Sequence, residues 1–266
     1  MTFGVVALVA TLSVAGVFVA GTLIYVVVSY VSMVGHVPAR GLGATLREMG
    51  RELATALLYQ PLMPLYYFVG ARFGGPARGV PVILVHGYFQ NRVDFIVIAR
   101  GLRRAGLGPL YGFNYPWMAP VSENAARLAV FAERVRTESG AAAVDLVCHS
   151  MGGLVAVEAM RSHALPVRRC VTVASPHAGV LWRGPILGRS GIDLRSGSTL
   201  VKSHGEYRAA AKVLSLASTH DNVVHPNTSS QLKARGGEDV IVGEMGHLSI
   251  LFARSTVDAV VGFLAG

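Results

Sequence analysis

The stretch VCHSMGGL, residues 147–154, joins two apolar runs, AVDLVCHS before it and MGGLVAVEAMRSH after it. The first run predicts a buried strand and the second a buried helix. Ser150 stands at the junction, where a tight strand-to-helix turn strains the backbone and exposes the hydroxyl. Gly152 and Gly153 allow the strand and the helix to approach each other. This is the sequence context of a nucleophile elbow, in which the helix N-terminus places partial positive charge beside the reacting group.

Cys148 departs from the elbow pattern G-x-S-x-G, because it occupies the first glycine position. Cysteine is small, so we expect the turn to form. Cys148 and Cys170, the two cysteines of the chain, both lie in apolar strand-like runs. Free cysteines in such runs usually pack as small hydrophobic residues. Their number and spacing favour neither a disulfide framework nor a metal site.

Residues 80–266 alternate between predicted strands and predicted helices. The strand-like runs are VPVILVHG, GPLYGFNYP, AVDLVCHS, VRRCVTVAS, AAKVLSLAST and EDVIVGE. Helical runs separate most of them, as in SENAARLAVFAERVRTESG, where Ser122 is the candidate N-cap and Gly140 lies near the end. Buried strands separated by helices predict an α/β fold, with a mostly parallel sheet covered by helices on both faces.

Residues 1–37 are predicted to form a transmembrane anchor. No charged residue occurs in the range 3–34, which exceeds the roughly 20 apolar residues that span a bilayer. A cleaved signal peptide is the alternative, but its basic leading region is missing and the apolar run is too long for one. Arg40, Arg47 and Arg51 follow the run, and this charge bias favours a cytoplasmic C-terminal part.

Residues 38–79 are predicted to form an amphipathic or interfacial connecting segment. ATLREMGRELATALLY has helical spacing of apolar and charged residues. QPLMPLYYFVGARFGG follows it, and Pro61 and Pro64 exclude a regular helix there. Two placements remain open: the membrane interface, where Tyr and Phe are favoured, or a collar packed on the following domain.

The composition limits the partners of the chain. Its 266 residues carry a net charge of +9 and are 52% hydrophobic, enough for one core and a membrane segment. The arginines are scattered and do not interleave with aromatic residues, which argues against nucleic-acid binding. A basic face against anionic lipid headgroups fits the N-terminal run better. No protein partner is evident.

The stretch LVHGYFQN, residues 84–91, ends a predicted strand some sixty residues before the elbow. In proteins with such an elbow, the loop after this strand donates one backbone N–H to an oxyanion, and the residue after the serine donates the other. The implied donors are the amides of Tyr88 and Met151. Each such donor is worth about 3 kcal/mol in a transition state. The alternative is that His86-Gly87 is only a turn.

A serine of this kind needs a base and an acid, in the chain order Ser, Asp, His. Among nine histidines, His247 follows the last predicted strand and precedes the terminal helix, at the sheet edge where reactive groups gather. Asp221 also follows an apolar strand, and its carboxylate would stabilise the charged imidazole. A turn aspartate is the alternative reading of Asp221. The competing acids are Asp193, Asp239 and Glu244.

The chain contains five motifs in the order VHGY, CHSMGGL, ASPHAG, THDNVV and GHLSIL. Together they resemble bacterial triacylglycerol lipases and esterases of the α/β-hydrolase superfamily. The resemblance covers residues 80–266. It implies Ser150 as nucleophile, Asp221 as acid and His247 as base, with Tyr88 and Met151 as oxyanion donors. It also implies carboxylic ester hydrolysis through an acyl-enzyme. The long anchor departs from the compact secreted lipases of this group.

The proposed chemistry needs no metal or organic cofactor, and the expected substrate is an ester or lipid met at a membrane. The segment from Ala178 to His204 contains Trp182 and several aliphatic residues, which predicts a small lid or a wall of an acyl pocket, or a plain surface loop. Two alternatives stay open for function. The scaffold could serve an acyltransferase or a thioesterase, or a non-catalytic membrane-anchored binding module.

Overall fold

The structure is a computed structural model, and it describes residues 2–62, 68, 70–76, 78–182 and 186–266. Residues 63–67, 69 and 77 of the connecting segment, among them Pro64, lie outside the described residues, as do residues 183–185 of the predicted lid.

Two helices come first. Helix α1, Phe3–Met33, is apolar throughout, and helix α2, Leu42–Tyr59, is amphipathic. Within α1 the stretch Gly4–Met33 is long and apolar enough to cross a membrane. The C-terminal part of α1 packs against α2, and Val26 and Tyr30 are buried between them.

The centre of the fold is a seven-stranded sheet. Its strands are β1 Arg72–Gly74, β2 Val82–Val85, β3 Leu110–Phe113, β4 Val144–His149, β5 Val167–Val173, β6 Lys212–Ala217 and β7 Glu238–Ile241. The strand order is β1-β3-β2-β4-β5-β6-β7. All neighbours pair in parallel except β1, which runs antiparallel to β3 at the edge. The predicted mostly parallel sheet is confirmed.

Helices cover both faces of this sheet. They are α3 Ile96–Arg104, α4 Val121–Ser139, α5 Met151–His163, α6 Gly188–Asp193, α7 Thr199–Glu206 and α8 Arg254–Ala265, with 3₁₀ turns at Arg92–Phe95 and Ser249–Phe252. Alternate residues of β4 face the two cores, because strand side chains alternate. Leu146 packs with Leu128 and Leu154 of α4 and α5 on one face. Val147 lies in the core that α3 and α8 cover on the other.

Helix α4 begins earlier than its sequence suggests. It starts at Val121, and the predicted N-cap Ser122 is wrong because Ser122 lies inside the first turn. The N–H of Val121 donates instead to the carboxylate of Asp193, at 2.8 Å. The helix ends at Ser139, and Gly140, which the sequence places near the helix end, follows as the C-cap in a left-handed conformation with φ of 68°.

The connecting segment 38–79 contributes to the body of the protein. Helix α2 packs on the 3₁₀ turn Ser249–Phe252, and the ring of Tyr59 stacks on that of Phe252 at 3.9 Å. Strand β1 lies in the sheet although it precedes residue 80, where the sequence places the start of the last domain. Of the two placements left open for this segment, these contacts correspond to the packed collar.

Candidate active site

Ser150 lies in the turn between β4 and α5, with φ of 51° and ψ of −125°. A non-glycine residue in such a backbone conformation carries a strain of about 1–3 kcal/mol, so the surrounding structure must hold Ser150 in it. Gly152 is required by its neighbours, since a Cβ atom at this position would lie 2.3 Å from the carbonyl oxygen of Val85. A Cβ atom at Gly153 would lie 2.2 Å from the hydroxyl of Ser175. The two glycines therefore permit the tight turn that their positions predict.

Cys148 is compatible with this turn. Its side chain is fully buried in the core under α4 and α5, beside Met151 and Leu154. The strand side of the turn thus holds a small apolar side chain where the pattern has glycine. Cys148 and Cys170 are both free and buried.

The structure brings Ser150, His247 and Asp221 into one hydrogen-bonded chain. Nε2 of His247 lies 2.9 Å from Oγ of Ser150. Nδ1 of the same ring lies 2.9 Å from Oδ2 and 3.1 Å from Oδ1 of Asp221. Oδ1 of Asp221 also accepts from the N–H groups of Val223 and Val224, at 2.8 and 2.7 Å. The imidazole therefore bridges a hydroxyl and a fixed, buried carboxylate.

The competing acids lie elsewhere. Asp193 caps α4, as described above. Asp239, in β7, accepts from the N–H groups of Leu232 and Lys233. Glu244 pairs with Arg40 at 3.8 Å. The carboxylate that is hydrogen-bonded to the His247 ring is that of Asp221.

The other histidines have other surroundings. His163 is exposed at the end of α5. The rest make these contacts: His86 with the carbonyl of Gly87, His149 with Gln90 and the carbonyl of His247, His177 with Thr172, His204 with Glu158, His220 with the carbonyl of Pro38, and His36 stacked on His225.

The loop after β2 lies directly against the elbow. A Cβ atom at Gly87 would lie 2.8 Å from Cβ of Ser150. The N–H of Gly87 donates to Oε1 of Gln90 at 2.8 Å, which holds the loop in this place. Among the hydrogen bonds of the described residues, none uses the N–H of Tyr88 or that of Met151. Tyr88 lines the same cavity as Ser150, and Met151 directly follows Ser150 at the start of α5.

Residues 82–224, which include the elbow and the loop after β2, match the alpha/beta hydrolase family. The chain belongs to this family.

Several solved hydrolases share the fold. Lipase B of Aspergillus fumigatus superposes with a TM-score of 0.64 at 18% identity, over 73% of this chain and 54% of that chain. The mature lipase BlEst2 of Bacillus licheniformis superposes with a TM-score of 0.59 at 18% identity, over 72% of this chain and 93% of that chain. The monoacylglycerol lipase of Paleococcus ferrophilus superposes with a TM-score of 0.56 at 21% identity, over 73% of this chain and 98% of that chain. The chain spans about half the length of the Aspergillus lipase, and at these identities the likeness establishes the fold.

The electrostatics of this α/β-hydrolase site distinguish His247 from the two histidines beside it. Burial by itself lowers the pKa of His247, but the charge and hydrogen bond of Asp221 raise it above its ordinary value. Burial lowers the pKa of His86 to about 4 and that of His149 well below its ordinary value. Of these three rings, only that of His247 has a carboxylate partner that stabilises its protonated form.

Asn222 and Glu52 hold the His247 loop, and sequence reasoning missed both. Oδ1 of Asn222 accepts from the N–H of His247 at 2.8 Å. The carboxylate of Glu52 accepts from the N–H groups of Leu248 and Ser249, at 2.8 and 2.9 Å. Glu52 lies in α2, where Glu48, Glu52, Thr55 and Ala56 form the buried stripe. The available signal was this spacing, which places two carboxylates on the inner face of an amphipathic helix.

A cavity of about 700 Å³ opens onto Ser150 and His247. Part of its wall comes from the segment between Ala178 and His204, namely Val180, Trp182, Ile186, Leu187 and Leu194. The hydroxyl of Tyr88 donates to the carbonyl of Leu187 and accepts from its N–H, both at 2.9 Å. The segment is therefore tied to the loop after β2. In the described part of the chain, no group of His, Cys, Asp and Glu is placed to hold a metal ion.

Proposed function

We propose that the chain is a serine hydrolase that cleaves carboxylic esters with lipid-like acyl groups. The observation that carries the proposal is the imidazole of His247, which bridges the Ser150 hydroxyl and the Asp221 carboxylate at hydrogen-bonding distance. In a triad of this kind the carboxylate sets the tautomer and stabilises the imidazolium that forms. The family membership and the fold of known lipases support the same assignment.

The proposed reaction is acyl transfer in two halves. Nε2 of His247 takes the proton of Ser150 as its oxygen attacks the ester carbonyl carbon. The amides of Tyr88 and Met151 donate to the carbonyl oxygen as it becomes negative. His247 then gives the proton to the leaving alcohol, and an acyl-enzyme remains. Water repeats the sequence, releasing the acid and restoring Ser150.

The cavity supports a lipid-like substrate. Its wall is made largely of aliphatic and aromatic side chains, including Trp182 and Ile186, while its polar groups include Ser150 and His247. A pocket with this distribution of groups holds an apolar ligand and orients one reactive bond. The size of about 700 Å³ suits a ligand larger than an acetyl ester.

A single-pass membrane anchor belongs to the same proposal. Helix α1 has the length and composition of a membrane span, and its residues 4–17 are exposed. A signal peptide meets the same criteria of length and composition. However, Oγ of Ser29 accepts from Nδ2 of Asn222 at 2.6 Å, and cleavage would remove this contact from Asn222, the residue that holds the N–H of His247. The basic residues that follow α1 favour a cytoplasmic hydrolase domain, which protease accessibility in sealed vesicles would test.

The first test is labelling of the purified full chain with a fluorophosphonate. Wild type should be labelled and Ser150→Ala should not, because the probe requires an activated serine. Ser255→Ala, in the exposed first turn of α8, should label like wild type. Absence of labelling in wild type, or equal labelling of Ser150→Ala, contradicts the proposal. Rates on p-nitrophenyl esters from acetyl to palmitoyl then separate an esterase from a lipase.

A further inference from the structure

One face of helix α1 forms part of the cavity that contains Ser150. The residues on this face include Val17, Gly21, Tyr25, Val28 and Ser32. They recur every three or four positions, which is the spacing of one helix face. Other lining residues belong to the hydrolase domain, among them Trp182 of the segment after β5. The predicted membrane helix and the hydrolase domain thus line one cavity together.

Helix α1 has a defined position relative to the reactive groups. Asn222 connects the two, because its Nδ2 donates to Ser29 and its Oδ1 accepts from the N–H of His247. Ser29 and Asn222 are both buried. The face of α1 that lines the cavity therefore passes the loop of Asn222 and His247 at Ser29 and extends from there toward the N-terminus.

The length of this face matches an acyl chain in a bilayer. From Ser29 to Val17 a helix advances about 18 Å, whereas one leaflet of the hydrocarbon core is about 15 Å thick. Exposed apolar side chains adjoin the cavity on both sides. Ile24 of α1 is 63% exposed, and Phe89 and Leu187 of the hydrolase domain are 56% and 64% exposed. Apolar side chains clustered at a cavity mouth indicate contact with lipid or with an apolar ligand.

We propose that α1 is a wall of the acyl-binding site, and that the acyl chain of a membrane lipid ester enters from the side, out of the bilayer, and lies along α1. This inference rests on the proposed function. It makes the anchor helix a determinant of chain length, with Gly21 as the position where a larger side chain would shorten the site. A short acyl chain would end before Gly21, and a long one would pass it.

Gly21 permits a direct test, because a Cβ atom there would have no atom within 4 Å. Gly21→Leu should place its side chain in the cavity without a backbone clash. Gly16→Leu is the matched control. Gly16 is also in α1 with no atom within 4 Å of a Cβ position, and it does not line the cavity. Both changes raise helix propensity by a similar amount.

The measurement is kcat/KM of the full chain, reconstituted in phosphatidylcholine vesicles, for p-nitrophenyl palmitate and p-nitrophenyl butyrate. We expect Gly21→Leu to lower the palmitate-to-butyrate ratio at least about tenfold, since two methylene groups left unburied account for that factor. Gly21→Ala should give an intermediate ratio, and Gly16→Leu the wild-type ratio. Fluorophosphonate labelling of each variant establishes that the Ser150 site is intact.

The outcomes separate the two proposals. Equal ratios for labelled Gly21→Leu and Gly16→Leu would overturn the role of α1 and leave the serine hydrolase standing. A wild-type chain that is neither labelled nor active on either ester would overturn both.

Discussion

Glu52 offers the sharpest test of how the N-terminal helices support the site. The perturbation is Glu52→Gln, which keeps the shape of the side chain and removes its charge. Both carboxylate oxygens of Glu52 accept from the backbone next to His247, at Leu248 and Ser249. In the variant an NH₂ group replaces one acceptor, so that one buried N–H faces a donor.

The structure sets the size of the effect. A hydrogen bond to a charged acceptor contributes about 1.5–3 kcal/mol. Burial raises the pKa of Glu52, so the ionised side chain has a desolvation cost that the amide avoids in part. We therefore expect a net loss of about 1–2 kcal/mol in the free energy of unfolding. We also expect about a tenfold loss in kcat, because small displacements of a catalytic group are costly.

The pH profile separates a role at His247 from a merely structural one. The charge of Glu52 contributes to raising the pKa of His247. As the proposed base, His247 must be neutral to accept a proton, so we expect activity to be lost as the pH falls through this pKa. Removing the charge lowers the pKa, and the acidic limb of kcat/KM should therefore move to lower pH in Glu52→Gln.

Glu48→Gln is the matched control. Glu48 lies one turn earlier on the same buried stripe of α2, and its carboxylate pairs with Arg51 at 3.1 Å and not with the catalytic loop. The assay is kcat/KM for p-nitrophenyl butyrate across the pH range, together with thermal unfolding of both variants. If the acidic limb of Glu52→Gln stays at its wild-type position, or moves no further than that of Glu48→Gln, the reasoning fails.

Two further predictions follow from the site. Asp221→Asn should lower kcat by about 10⁴-fold. It should also move the acidic limb of the pH–rate profile to lower pH, since the charge of Asp221 raises the pKa of His247. A pH–rate profile measures both effects, and an unmoved limb would contradict the pairing of Asp221 with His247. Gly152→Ala should destabilise the protein by about 3 kcal/mol through overpacking, because its Cβ would lie 2.3 Å from the Val85 carbonyl oxygen. Gly262 is exposed in α8 and a Cβ there would have no atom within 4 Å, so the control Gly262→Ala should stabilise the protein by about 0.5 kcal/mol. Thermal unfolding compares the two variants, and equal shifts in unfolding temperature would argue against a tight elbow.

The sequence was informative wherever the determining pattern was local. The elbow at Ser150 is readable because a strand, a small-residue turn and a helix follow each other within a few residues. That Ser150, Asp221 and His247 lie close together could be predicted because each follows a predicted strand, and the C-terminal ends of parallel strands lie at the same edge of the sheet. The hydrophobic runs likewise predicted six of the seven strands. β1, three residues long and half-exposed, has no such run.

Only the tertiary structure could decide contacts between distant parts of the chain. The cap of α4 comes from Asp193, which lies 72 residues beyond Val121, so the first turn holds no signal of it. Glu52 contacts the His247 loop and Ser29 contacts Asn222, each across nearly 200 residues. The sequence predicted α1 as an anchor and α2 as a connector and did not predict their contacts with the site. The reason is that the spacing of apolar residues indicates which face of a helix is apolar, but not which part of the chain that face contacts. The proposed nucleophile is thus indicated by local sequence, whereas the walls and supports of its site depend on how the chain packs.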